Sequence, residues 1–324
     1  MNILLLTVGL VLILGGANYM TDGSAAIAKK LGMSDFIVGL TIVSMMTSAP
    51  ELVVSIMSAS NASTDMAIGN IVGSNIFNIL VIIGVVAMIR PIEVTRGVLI
   101  NEIPLVILSS AVLFVMGCSP YIDGTPMVLT RVDGILLLLF FVIFMRYTIA
   151  SAHKAPATDP VAEDGQRQKP LPTWKALVFL SGGLAALIFG GQWFVDGAAG
   201  IARGLGWSEA LIGLTILAAG TSLPELATSA VAAMRGFSGI CLGNVIGSCI
   251  FNIFFVLGAT STIMPLQFGN ITIVDLGVLV AASCLFWIFG WFFRLRTITR
   301  AEGAVLFLAY IGYMVYLYSQ QVTV

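Results

Sequence analysis

Residues 46–55 read MTSAPELVVS, and residues 220–229 read GTSLPELATS. Each stretch sets a proline beside a glutamate within a long apolar run. A membrane-spanning helix ordinarily carries neither, because proline removes a backbone hydrogen bond and a buried carboxylate is costly. The two copies share Thr-Ser, Pro-Glu and a trailing Ser, 174 residues apart. Shifted by that offset, the chain aligns with itself without a gap from about residue 16 to residue 84. GLTI at 39–42 meets GLTI at 213–216, and GNIVGSNIFNI at 69–79 meets GNVIGSCIFNI at 243–253. Between 36–84 and 210–258 there are 20 identities in 49 positions, which marks an internal duplication.

Composition decides the solvent in which the duplication sits. The chain has 324 residues, 58% of them hydrophobic and 10% charged. Soluble domains carry about 25% charged residues, so there is too little polar surface here to cover a soluble core. Apolar runs of about 20 residues recur along the whole length, the pattern of a polytopic membrane protein. The net charge of −1 gives no sign of nucleic-acid binding. The four cysteines (Cys118, Cys241, Cys249 and Cys284) have no metal-site spacing and read as small membrane-buried residues. The N-terminus lacks a basic n-region and a small-residue cleavage site, so residues 3–20 read as a retained helix. His153 lies in a polar loop and is given no role.

Ten spans are expected, near 3–20, 36–59, 67–89, 98–117, 132–149, 175–202, 209–234, 240–263, 272–293 and 302–319. Residues 150–173, rich in proline and charge, separate residues 1–149 from residues 174–324, with five spans in each half. Placing the N-terminus outside puts Lys29, Lys30, Arg90, Arg96, Arg146, Lys154, Arg167, Lys169, Lys175, Arg235, Arg294, Arg296 and Arg300 on the inner side. Those are 13 of the 15 basic residues; Arg131 and Arg203 fall outside. The positive-inside rule therefore predicts a cytoplasmic 150–173 loop and both termini outside. Five spans per half is an odd number, so the second copy enters the membrane with opposite polarity. The expected fold is all-α: ten transmembrane helices as two inverted-topology five-helix repeats, with broken helices at a midplane site.

The chemistry of that site follows from the stripes around the motif. Ser44, Thr47, Ser48, Glu51 and Ser55 share one helix face, and Thr221, Ser222, Glu225 and Ser229 repeat it, with Ala218 in place of Ser44. Asn70, Ser74 and Asn78 are spaced by four, as are Asn244, Ser248 and Asn252. Every side chain on these stripes except Ala218 offers an oxygen, and none is Lys, Arg or His. Such a set suits a hard cation, Ca²⁺ or Na⁺, rather than a soft metal or an anion. Pro50 and Pro224 are expected to free the carbonyls of Met46 and Gly220 and to push residues 49 and 223 out of helical geometry. Two facing glutamates carry a charge that balances one Ca²⁺. A lone membrane Ser or Thr usually bonds back to its own helix, and Asp22 and Asp196, near span ends, read as structural. Phe77 and Phe251 read as packing.

GLTI-x-TSAPEL, GLTI-x-GTSLPEL and the paired GN-x-x-GSNIFNI segments resemble the alpha repeats (residues 36–84 and 210–258) of the calcium/cation antiporter superfamily, and most of all prokaryotic sodium/calcium exchangers. The resemblance implies that Na⁺ entering down its gradient expels Ca²⁺. It implies ion ligands at Thr47, Ser48, Glu51, Ser74 and Asn78, and at Thr221, Ser222, Glu225, Ser248 and Asn252, with backbone carbonyls at Ser44 and Ala218. It makes spans 1 and 6 a pair sliding past the other eight. The partners are the lipid bilayer and the transported Na⁺ and Ca²⁺; no cofactor and no enzymatic activity are expected, and the sequence carries no signal of oligomeric state. Some members carry Asp at the position of Asn252; here both equivalent positions are Asn, which leaves two carboxylates. Met45-Met46 stands where the second half has Ala-Gly, and Asn75 is replaced by Cys249. An antiporter using H⁺ or moving another divalent ion is the alternative. A cation channel fits the inverted repeat less well, and nothing in the spans resembles a hydrolase site.

Overall fold

The computed structural model describes residues 1–61, 64–122, 124–152, 171–206, 218–292 and 296–322. Those residues are nearly all helical. The first half contributes Asn2–Leu31 (α1), Asp35–Ser60 (α2), Thr64–Ile89 (α3), Val98–Gly117 (α4) and Arg131–Ala152 (α5). The second half contributes Thr173–Gly204 (α6), Leu223–Met234 (α7), Ser238–Ile263 (α8), Ile273–Phe292 (α9) and Arg300–Val322 (α10). Among the described residues nine of these, all but α7, are long and apolar enough to cross a membrane. The first part of the expected span 209–234, the second GLTI and most of the expected 150–173 loop lie outside the described residues.

The ends of α1 and α6 differ from expectation. Helix α1 runs to Leu31 rather than stopping near residue 20, and α6 spans Thr173–Gly204. The segment TDGSAAIAKK looks polar, yet its alanines and lysines favour helix, and Lys29 and Lys30 sit in the last turn, where the helix dipole welcomes positive charge. Gly32, at φ 62°, then closes the helix in the left-handed conformation, its N–H bonding the Ala28 carbonyl. The two long helices pack along one another. A Cβ on Gly16 would lie 2.7 Å from the Gly183 carbonyl oxygen, and one on Gly183 would lie 2.8 Å from that of Gly16. Only glycine permits this backbone approach, the usual means of tight helix packing in lipid.

Helices α3 and α8 form the centre of the molecule and are the most buried of the long helices. Large apolar side chains on α1, α5, α6 and α10, such as Val11, Ile143, Trp174 and Leu308, are exposed, as expected of surfaces that face lipid. Two short antiparallel clasps tie the halves together outside the bundle. Ile92–Glu93 pairs with Thr297–Ile298, and Val128–Leu129 pairs with Leu266–Gln267. Inside, Ser110 of α4 meets Ser283 of α9 at 3.2 Å.

The helices nearest the centre are irregular. π-helical turns occupy Gly39–Val43 in α2, Asn78–Ile82 in α3 and Phe251–Leu257 in α8. Such turns are rare and recur at functional sites. Two of them contain Asn78 and Asn252, residues expected at the site.

Candidate cation site

Helix α2 breaks at Ser48, whose φ and ψ are −85° and 6°; Ser222 before α7 has −92° and 7°. In each case the next residue already belongs to the following helix, so the distortion falls on Ser48 and Ser222 and not, as expected, on residues 49 and 223. Proline explains the shift. Pro50 and Pro224 sit in the first turn of the new helix, where no N–H is needed and a fixed φ suits the helix. The preceding serine takes the bridge-region geometry instead. The Ser44 carbonyl is not left bare: it accepts the Ser48 N–H at 2.9 Å.

Ser48–Ala49–Pro50–Glu51 and Ser222–Leu223–Pro224–Glu225 both match the serine-to-glutamate capping box that ordinarily closes a helix N-terminus. Neither serine caps its helix with its side chain. Ser48 Oγ instead donates to Glu225 Oε1 of the other half at 3.1 Å. Both glutamates lie in the first turn of their helices, where the macrodipole favours negative charge. Each is about 1% exposed, and the two are close enough to act on each other electrostatically.

Two asparagines brace the breaks from the central helices. Asn70 Nδ2 donates to the Glu51 carbonyl at 3.4 Å and to Ser55 Oγ at 3.3 Å. Asn244 Nδ2 donates to the Glu225 carbonyl at 3.4 Å and to Ser229 Oγ at 3.0 Å. These bonds are the same, residue for residue, 174 positions apart. Asn244 also accepts the Thr47 hydroxyl on Oδ1 at 3.1 Å, which couples the first break to the second half.

Seven buried side-chain oxygens among the described residues have no hydrogen-bond partner: both Glu51 oxygens, Glu225 Oε2, Ser222 Oγ, Ser248 Oγ, Asn78 Oδ1 and Asn252 Oδ1. All seven are oxygens, and all belong to residues of the expected ligand set. Leaving one buried polar group unpaired costs about 1–3 kcal/mol, so seven such oxygens are a costly arrangement for the fold alone. Carboxylate, hydroxyl and amide oxygens fit a hard cation. Among the described residues no group of three or more acidic, His or Cys side chains could hold a metal ion; the set has two carboxylates, and its other oxygens are neutral.

The other expected residues are placed as follows. Thr47 and Ser48 are buried and bonded across the halves, and Ser74 is buried one turn before Asn78. Thr221 is half-buried in the turn before α7, and Ala218 begins the short helical turn Ala218–Gly220. Met45 and Met46 are half-buried and pack on the core. Asp22, given a structural role, pairs with Arg235 at 2.5 Å.

The fold and site define a multi-pass integral membrane protein with an oxygen-lined centre shared by its two halves. The sodium/calcium exchanger protein family matches residues 1–150 and 175–319, and the chain belongs to that family. It is 42% identical to the CaxA protein of Alkalimonas amylolytica over 96% of this chain and 97% of that one. It is 31% identical to the sodium/calcium exchanger MaX1 of Methanosarcina acetivorans over 98% of both. Among solved structures, the sodium-calcium exchanger NCX_Mj superposes with a TM-score of 0.82, at 32% identity and 98% coverage of both chains.

Proposed function

We propose that the chain is a secondary active antiporter that exchanges Na⁺ for Ca²⁺ across the membrane by alternating access. The observation that carries this is the set of seven unpartnered oxygens around two buried glutamates. Its ligands are Glu51, Thr47, Ser48, Ser74 and Asn78 with Glu225, Thr221, Ser222, Ser248 and Asn252, and the backbone at Ser44 and Ala218. Two carboxylates balance one Ca²⁺, and the same oxygens serve Na⁺ in its place. The ions are cargo; no covalent step and no resident cofactor enter the cycle.

Obligatory exchange follows from the cost of the empty site. Two uncompensated carboxylates closed off within the membrane are unfavourable by several kcal/mol on most estimates. A carrier loaded with either ion is neutralised and free to switch its opening; an unloaded one is held back. Flux of one ion therefore requires counterflux of the other.

The architecture that goes with this mechanism has ten spans in two inverted five-helix repeats, 1–149 and 174–324, joined by a cytoplasmic 150–173 segment. Both termini face out, in a prokaryotic cytoplasmic membrane. The distribution of basic residues supports this topology, and the offset of 174 that relates the two asparagine braces supports the repeat.

The test is uptake of radioactive Ca²⁺ by liposomes carrying the purified protein. Loaded with Na⁺ and diluted into Na⁺-free buffer, they should accumulate Ca²⁺, and K⁺-loaded liposomes should not. Uptake that ignores Na⁺ and follows a pH gradient would replace the coupling ion with H⁺.

A further inference from the structure

Asn75 lies at the crossing of α3 and α8 and is fully buried. Its Nδ2 donates to the backbone carbonyl of Cys249 at 3.1 Å. Its Oδ1 accepts from Asn252 Nδ2, also at 3.1 Å. Asn252 Oδ1, the other end of that amide, is one of the seven unpartnered oxygens.

The order of these bonds fixes two side chains at once. A backbone carbonyl can only accept, so the Cys249 contact compels Asn75 to present its NH₂ there. Asn75 must then turn its oxygen toward residue 252. An oxygen can only be met by a donor, so Asn252 must present its own NH₂ to Asn75 and its oxygen to the other side. One immovable main-chain group thus determines which end of the Asn252 amide faces the site. In the opposite half Cys249 stands at the position of Asn75, so a thiol replaces the amide that could orient Asn78. A thiol is a weak partner, so the two amide ligands are not held alike.

We infer that Asn75 is a positioning residue that orients the Asn252 oxygen toward the cation and keeps position 252 neutral. This rests on the antiporter function proposed above and adds a determinant of its specificity. Aspartate at 252 would set a carboxylate against the Asn75 oxygen. Asn75 could relieve this only by flipping, which would strip the Cys249 carbonyl of its donor and set an oxygen against it. Asn75 therefore selects asparagine, and with it a site of two negative charges rather than three. Two charges match one divalent ion.

The experiment is a double-mutant cycle over Asn75→Leu, which is nearly isosteric, and Asn252→Asp, in detergent-solubilised full-length protein. Ca²⁺ affinity is read by calorimetry and melting temperature is read without Ca²⁺. Asn75→Leu should weaken Ca²⁺ binding by about tenfold, because the Asn252 amide is released to turn its NH₂ inward. Asn252→Asp should help Ca²⁺ binding at least about tenfold more in the Asn75→Leu background than with Asn75 present. A carboxylate has two equivalent oxygens and needs no orienting partner.

An effect of Asn252→Asp that is the same in both backgrounds overturns the inference, as does unchanged affinity in Asn75→Leu. If Asn75→Leu does not fold, Asn75→Ala completes the same cycle. A residue that merely packs would lower melting temperature without changing the sign or size of the Asn252→Asp effect on affinity. Should the wild-type protein fail to bind Ca²⁺, the proposed function fails. The coupling in melting temperature still tests the Asn75–Asn252 bond, and additive melting temperatures would then dismiss it.

Discussion

Ser48 Oγ donates to Glu225 Oε1 at 3.1 Å, whereas Ser222, at the matching place in the second half, leaves its Oγ without a partner. Two positions that are equivalent in sequence thus do different things in one conformation. The first serine bonds across the halves to the second glutamate; Glu51 receives no such bond on either oxygen.

Ser48→Ala and Ser222→Ala should therefore differ. The first removes a charge-assisted bond and leaves another Glu225 oxygen unpaired, a loss of about 1–3 kcal/mol in ion-free stability. The second removes an oxygen that bonds nothing in the fold, and should lower Ca²⁺ affinity with ion-free stability preserved or raised. Melting curves with and without Ca²⁺ distinguish them; equal ion-free melting temperatures would contradict the asymmetry.

Glu51→Gln and Glu225→Gln should each abolish Ca²⁺ transport in liposomes with the protein still folded. The carboxylates lack counter-charges among the described contacts, so neutralising Glu51 should raise or preserve melting temperature in the absence of ions while removing most stabilisation by Ca²⁺. Near-normal transport in either variant would remove that glutamate from the site.

Asn70→Leu and Asn244→Leu take away the donors that hold the Glu51 and Glu225 carbonyls and the hydroxyls of Ser55 and Ser229. Each should lower stability by about 1–3 kcal/mol. Asn244→Leu should be the worse of the two for Ca²⁺ affinity relative to its stability loss, because it also removes the acceptor of the Thr47 hydroxyl. Denaturation of both variants beside Ca²⁺ titrations provides the comparison.

Gly243→Ala should impair folding more than Gly258→Ala on the same helix, where a Cβ would meet nothing nearer than 3.1 Å. A Cβ there would lie 2.6 Å from the Leu40 amide nitrogen of α2, main chain that cannot swing aside. Overpacking of this kind costs about 1–3 kcal/mol. A melting temperature equal to wild type would mean that α2 and α8 separate without cost, and that the central packing does not hold the break in place.

Much of this was legible in the sequence because membrane solvent is a strict reader. Apolar runs bounded by charge located the long helices, and the shared offset of Glu51 and Glu225 pointed to the buried, unpartnered oxygens between them. The end of α1 was not legible at residue 20, since TDGSAAIAKK loses hydropathy before it loses helix. The Ser48 and Ser222 distortions fell one residue before expectation, because proline in a first helical turn moves the break upstream. The capping-box spacing from Ser48 to Glu51 was a signal that these side chains had been diverted from their usual work. Asn75 was beyond sequence alone. Its replacement by Cys249 argued against equal roles for the two positions, but that Asn75 bonds the Cys249 carbonyl and orders Asn252 depends on the crossing of two helices.

The central claim is that one oxygen set, built from both halves, serves Na⁺ and Ca²⁺ in turn. Calorimetric titration of purified protein with Ca²⁺ at a series of Na⁺ concentrations, balanced with an inert large cation at constant ionic strength, tests it most directly. The apparent Ca²⁺ affinity should fall steadily as Na⁺ rises, with no change in the number of Ca²⁺ bound at saturation, and Glu225→Gln should abolish the response. A Ca²⁺ affinity indifferent to Na⁺ would contradict a shared site and leave the two ions without a means of exchange.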